Sequence, residues 1–224
     1  MYPVTEFMEN EKKKPFLVDV PVKIGIWIRP EQQMMQYEVI RQARPSVLFL
    51  SSDGGRNEAE WEAIRKNRKL YDEGIDWDCQ VYRLYKENNC GLYHMALEIN
   101  RLIWSHVDRC IFLEDDVLPS ISYFQFCAEL LEYYKDDTRV GMICGMNHCE
   151  TWDAGNADYF FSKRGSIWGV ARWKRTYELN WNIGYYQDPY ARNVLREYIK
   201  DMPDLQKQTR EVAEKGEYLW MCLE

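Results

Sequence analysis

Between Val22 and Cys144 the sequence alternates short apolar runs with longer segments of helical periodicity, about four times over. That order constrains the fold more than any other feature. Val22-Lys23-Ile24-Gly25-Ile26-Trp27-Ile28 has the alternating, β-branched look of a first strand. Arg29-Pro30 ends it and opens a helix in which Met35, Val39 and Ala43 recur, widened by Met34, Tyr37 and Ile40. Arg44-Pro45 stops that helix, and Val47-Leu48-Phe49-Leu50 reads as a strand buried on both faces of a parallel sheet. After Ser51-Ser52-Asp53-Gly54-Gly55, Asn57 is suited to cap a helix whose inner face carries Trp61, Ile64 and Tyr71. A third strand is predicted at residues 79–85. The helix after Gly91 has the clearest pattern, with Leu92, Met95, Ala96, Ile99, Leu102 and Ile103 in register. Arg109-Cys110-Ile111-Phe112-Leu113 is a fourth strand, running directly into Glu114-Asp115-Asp116. A helix from about Ser120, with Phe124, Cys127, Leu130, Leu131 and Tyr134 inward, and a fifth strand at residues 140–144 complete the series. Alternation of this kind implies an α/β fold: a Rossmann-like three-layer sandwich around a mostly parallel central sheet.

Beyond Asp158 the alternation gives way to aromatic-rich loops and two late helical stretches. The expected organisation is an N-terminal arm at 1–20, a Rossmann-like half at 21–150, and a further segment at 151–224. The chain ends in the apolar run Leu219-Trp220-Met221-Cys222-Leu223-Glu224, from which an incomplete C-terminus is expected. With 46% hydrophobic residues in 224, there is enough apolar material for one sizeable core. A net charge of -7 without a basic stripe argues against a nucleic-acid partner. No apolar run is long enough to cross a bilayer, and seven irregularly spaced cysteines do not make a disulfide framework. A cytoplasmic protein, or one peripheral to a membrane, is therefore expected. Cys144, His148 and Cys149 invite a zinc reading, but a second ligand pair at familiar spacing is missing.

In an open parallel sheet, ligands bind beyond the carboxyl ends of the strands, where both acidic turns fall. Three adjacent carboxylates repel one another, so Glu114-Asp115-Asp116 at a strand end calls for a compensating cation. Hard oxygen ligands suit Mg²⁺ or Mn²⁺, which keep several waters and bind substrate phosphates. A solvated loop or a helix cap is the plain alternative. Asp53, at the second strand end, is suited to accept a hydrogen bond from a base or ribose, although by itself it reads as an ordinary Asp-Gly turn. Arg29 leaves strand one at the same edge, where a diphosphate is one partner and solvent the other. Asn89, just before Cys90 and Gly91 at a helix start, brings amides suited to phosphate. Ser166-Ile167-Trp168-Gly169-Val170-Ala171-Arg172-Trp173 reads either as a sugar platform or as core. No P-loop, nucleophile elbow or dinucleotide fingerprint is present.

The ordered set of residues 22–30, Ser51-Ser52-Asp53-Gly54, Asn89-x-Gly91, Phe112-Leu113-Glu114-Asp115-Asp116 and Ile167-Trp168-Gly169 resembles the GT-A nucleotide-diphospho-sugar glycosyltransferases. The bacterial group labelled hemolytic-protein-like is the nearer likeness, and the N-acetylglucosaminyltransferase I catalytic domain a more distant one. The resemblance covers about residues 20–181. It implies metal-dependent sugar transfer from a nucleotide-diphosphate-sugar donor, with a UDP-sugar favoured, to a carbohydrate or other hydroxyl acceptor. It also implies that Asp116 binds Mn²⁺ or Mg²⁺, that Glu114 and Asp115 lie against ribose and donor sugar, that Asp53 meets the base, and that Arg29 sits near the phosphates. Glu217, in Gly216-Glu217-Tyr218-Leu219-Trp220, is the corresponding candidate for a catalytic base; an ordinary helix glutamate is its alternative. A non-catalytic carbohydrate- or partner-binding module on the same scaffold is the competing expectation.

Overall fold

A computed structural model describes residues 13–147, 150–162, 165–180, 189–204 and 206–207. Among the described residues the named elements follow in the order β1 (Val18–Ile26), α1 (Pro30–Ala43), β2 (Pro45–Ser52), α2 (Glu58–Gly74), β3 (Gln80–Tyr85), α3 (Leu92–His106), β4 (Arg109–Leu113), α4 (Ile121–Tyr133), β5 (Met142–Cys144), β6 (Val170–Trp173), α5 (Lys174–Asn180) and α6 (Pro189–Ile199). The strands form one sheet in the order β3-β2-β1-β4-β6-β5. Strands β1 to β4 are mutually parallel, with Val22 beside both Leu48 and Ile111. Strand β6 is antiparallel to β4 and to β5. The architecture is therefore α/β with a mostly parallel sheet flanked by helices.

Two apolar layers sandwich the sheet. On one face Val22, Ile24, Leu48, Leu50, Ile111 and Leu113 pack with Tyr37 and Ile40 of α1, Tyr71 of α2, and Phe124 and Leu131 of α4. On the other, Phe49 and Cys110 pack with Ile99, Ile103 and Trp104 of α3, and Tyr177 of α5 leans on the same cluster. The near-continuous apolar sequence of β2 is what burial on both faces requires. Fully burying one such side chain contributes about 1.5–3 kcal/mol, so the central strands dominate the stability of the sheet.

Local signals act as the sequence suggests. The Asn57 side chain accepts a hydrogen bond from Glu60 N at 3.0 Å and starts α2. Arg44 ends α1 in a left-handed conformation (φ 47°), donating its N–H to Ile40 O, and Pro45 turns the chain into β2. Differences arise where packing overrides pattern. Strand β1 opens at Val18 rather than Val22. In α1 the methionines Met34 and Met35 face solvent, while Gln33 and Gln36 are buried. Strand β6 arises inside the segment read as platform or core, where antiparallel pairing to β4 and β5 decides its state.

The link between β5 and β6 is tight. Gly145 N donates to Gly169 O at 2.9 Å, and a Cβ on Gly145 would stand 2.6 Å from Cε2 of the buried Tyr123. The Gly145→Ala variant is expected to lose about 1–3 kcal/mol of stability through this overpacking. A urea titration reads the loss, and an unchanged midpoint would contradict the close contact.

Candidate functional site at the carboxyl edge of the sheet

The chain runs outward from β1 through β2 to β3, then crosses back so that β4 lies on the other side of β1. The switch point therefore falls between β1 and β4, where an open α/β sheet leaves a crevice beyond its carboxyl ends. Glu114-Asp115-Asp116 leaves β4 at that crevice, and Arg29 leaves β1 there. Asp53 lies on the same edge at the end of β2, separated from the acidic turn by β1.

Glu114 meets Lys23, whose Nζ lies 2.9 Å from Oε1. The lysine comes from the middle of β1 and its side chain is only 8% exposed. Gly25 makes room for the pair, since a Cβ there would stand 3.2 Å from Glu114 Oε2 and 3.5 Å from Lys23 Nζ. Asp115 accepts a hydrogen bond from Arg29 Nη1 at 2.6 Å and is 14% exposed. Asp116 is 45% exposed, with Arg29 Nη1 at 3.7 Å. The backbone of the turn is held by Gln36 of α1, whose Nε2 donates to Glu114 O at 2.8 Å and Val117 O at 2.6 Å.

The charge of Lys23 holds the Glu114 carboxyl below the usual glutamate range, against the opposing effect of burial. Asp115 moves the other way: burial raises it, and the Arg29 hydrogen bond and charge offset only part of that. The consequences for stability have opposite signs. Glu114 contributes stability that is complete above its unfolded value of 4.5 and is lost as pH falls through its lower folded value. Asp115 favours the fold below its unfolded value of 3.8 and loses that contribution as pH rises through its folded value.

At the other end of the edge, Asp53 is almost fully enclosed. Its Oδ1 accepts from Gly54 N at 2.8 Å and Cys90 N at 2.9 Å, and its Oδ2 from Gly91 N at 2.8 Å. The carboxylate expected to meet a base thus ties the end of β2 to the start of α3. Asn89 adds a bond from Nδ2 to Gly54 O at 2.9 Å. Arg68 of α2 closes the same junction, donating to Ser52 O, Asp53 O and Lys86 O at 2.8–3.2 Å. Its guanidinium also lies over the rings of Trp61 and Tyr85.

The structure brings Arg29, Glu114, Asp115 and Asp116 into one cluster, and Asp53 with Asn89 into a second. Glu217 lies outside the described residues, as do His148 and Cys149 of the zinc reading. His94 and His106 are exposed. Sequence reasoning missed Lys23, Gln33, Gln36 and Arg68. A lysine centred in an apolar strand was a usable signal for the first, and two glutamines on one helical face for the next pair. The Ile167-Trp168-Gly169 motif runs into β6 close to the acidic turn: a Cβ on Gly169 would lie 3.6 Å from Val117 Cγ1. Ile167 and Trp168 are exposed there, as are Leu118 and Ile121 beyond the turn. A cleft of about 550 Å³ lies at the opposite, amino edge, lined by Asp19, Ser46, His106 and Lys174 among others. It gathers none of the candidate residues.

Lys23 and Arg29 already supply two positive charges to the three acids, so the repulsion among the carboxylates does not by itself decide for a dication. Among the described residues, no group of three or more His, Cys, Asp or Glu side chains is arranged to hold a metal. The donor set is thus unlike an all-protein cage. It fits Mg²⁺ or Mn²⁺ only in the mode where one or two carboxylates, waters and substrate phosphates share the coordination; Glu114 and Asp116 are equally exposed, but Glu114 is engaged by Lys23 at 2.9 Å and Asp116 has Arg29 only at 3.7 Å.

Two variants test the geometry. Lys23→Met should lower stability at neutral pH and flatten the acid-side decline below pH 4.5, read as urea midpoints against pH. A parallel, unshifted curve would refute the pairing. Asp53→Asn places an amide group against backbone donors and should cost about 1–3 kcal/mol in the same assay.

No family model and no curated protein matches the chain. Sixteen chains of solved structures do match. Among them is the mannosyltransferase PcManGT from Pyrobaculum calidifontis in complex with GDP-Man and Mn²⁺, with 12% identity and a TM-score of 0.40. The match covers 60% of this chain and spans 39% of that mannosyltransferase, a likeness too slight to carry chemistry from one to the other.

Proposed function

We propose that the protein is a glycosyltransferase that takes a sugar from a nucleotide-diphosphate-sugar donor and passes it to a carbohydrate or other hydroxyl acceptor. The observation that carries this reading is the acidic turn at the switch-point edge, fixed from behind by Lys23 and Gln36, with Asp116 turned to solvent beside Arg29.

In this reading Asp116 would hold a Mn²⁺ or Mg²⁺ ion, which would supply positive charge to offset that of the donor diphosphate. Arg29 adds a fork of N–H donors suited to phosphate oxygens. The Asp53 clasp orients the amides at the start of α3 and shapes the pocket for the base, so its role is positioning as well as any direct contact. Asp115 and Glu114 line the floor on which ribose and donor sugar rest. Glu217 is the proposed base toward the acceptor hydroxyl. The exposed side chains of Leu118, Ile121, Ile167 and Trp168 offer an apolar, partly aromatic border on the acceptor side. UDP is the proposed nucleotide, with GDP as the comparison to run.

A second reading is a non-catalytic carbohydrate- or partner-binding module. The specific observation favouring it is that Glu114 and Asp115 are already paired within the chain. Calorimetry with UDP and GDP separates the two. The transferase reading expects Mn²⁺ to raise nucleotide affinity at least tenfold, and Asp116→Asn to abolish the increase. Equal, weak binding with and without metal, together with glycan binding and no donor hydrolysis, would favour the module.

A further inference from the structure

Two cations neutralise the acidic turn, and they differ in their freedom to leave it. Lys23 is enclosed within the sheet, with Glu114 as its partner and Gly25 leaving space for the pair alone. Parting it from Glu114 would leave the enclosed ammonium, 8% exposed, without its partner, which is strongly destabilising. Arg29 is different. Its backbone is anchored as the N-cap of α1, with Gln33 N donating to its carbonyl at 3.0 Å, but its side chain is 44% exposed. Its guanidinium reaches Asp115 at 2.6 Å and Asp116 at 3.7 Å, so its positive charge stands where the proposed dication would act. A guanidinium and a dication beside one half-exposed carboxylate repel each other. A diphosphate, by contrast, offers the guanidinium a bidentate partner at least as good as a carboxylate.

We propose that Arg29 is an exchangeable counter-ion: it neutralises Asp115 and Asp116 before the donor binds, then transfers to the donor diphosphate and frees Asp116 for the dication. This rests on the function proposed above and adds a coupling to it. Donor and dication bind synergistically, and by linkage each raises the affinity of the other by the same factor. The exchange also gives the site a safeguard, because Asp116 recruits a dication strongly only when a diphosphate is present. The guanidinium side of the pair is half-exposed while Asp115 is 14% exposed, so Arg29 can exchange for a better partner provided another cation then neutralises the acids.

The experiment measures Mn²⁺ binding to the full chain by the loss of free Mn²⁺ paramagnetic resonance signal, alone and with UDP or GDP. Wild type and Arg29→Gln are compared under identical conditions, so that the Mn²⁺–nucleotide complex in solution cancels. Arg29→Gln is expected to bind Mn²⁺ alone about tenfold more tightly, the size appropriate to removing a unit charge from beside a divalent ion in a screened site. The same variant should show a smaller coupling factor between nucleotide and Mn²⁺ than wild type. Arg29→Lys keeps the charge and loses the fork, so it should bind Mn²⁺ alone as weakly as wild type; it also serves if the glutamine variant does not fold. Equal Mn²⁺ affinity in wild type and Arg29→Gln, or an equal coupling factor in both, overturns the exchange while leaving the transferase reading intact. Absence of nucleotide binding to wild type with Mn²⁺ overturns both.

Discussion

One buried amide fixes the direction in which β4 delivers its carboxylates. Gln36 uses both N–H groups on Glu114 O and Val117 O, and its Oε1 accepts from the Tyr71 hydroxyl and from Gln33 Nε2. Every hydrogen-bonding position of the amide is therefore filled, from α1, α2 and the turn itself. A buried amide so fully used specifies one arrangement, because any alternative strands a donor or acceptor of Gln36. Gln33 extends it to Gly25 O on β1, so the strand that carries Lys23 and the turn that carries Glu114 are held by one polar chain. Burial pushes the Tyr71 hydroxyl well above its ordinary range, so it stays neutral and works as a donor at physiological pH.

Upon that frame the charges divide by partner. Glu114, though half-exposed itself, is tied to an enclosed lysine, and its depressed pKa expresses that pairing. Asp115 is the most enclosed of the three: it is partnered by Arg29, yet burial still raises it. Asp116 is half-exposed, with Arg29 Nη1 at 3.7 Å. A run of three identical charges in the sequence thus becomes three different groups in space. The difference comes from the face to which each points and from which basic side chain reaches it. A similar division marks the second acidic turn, where Asp53 is consumed by backbone amides and Asn89 by Gly54.

The antiparallel strand β6 completes the edge next to the site. By inserting between β4 and β5 it carries Ile167 and Trp168 to the border of the acidic turn, with Gly169 against Val117. Its four residues have no periodicity that distinguishes a strand from a core loop, so pairing with two neighbours decides the outcome. Much the same holds for α1. Its apolar residues form a helical pattern, but the sheet and the turn take the face bearing Gln33 and Gln36 and leave Met34 and Met35 outside. The pattern was legible; its rotation about the helix axis was not.

What the sequence determined by itself was the order of elements and the position of acids at strand ends, because strand and helix periodicities and caps such as Asn57 act over a few neighbouring residues. Arg109 to Leu113 reads as a strand that must empty into Glu114-Asp115-Asp116 wherever it is placed. Only the tertiary structure decided which of those acids are spoken for. Lys23 and Glu114 lie 91 positions apart, and Arg29 and Asp115 lie 86 apart, yet strand registry brings each pair to hydrogen-bonding distance. Electrostatic neutralisation depends on separation in space, and that is fixed by the pairing of β1 with β4, which no local pattern encodes.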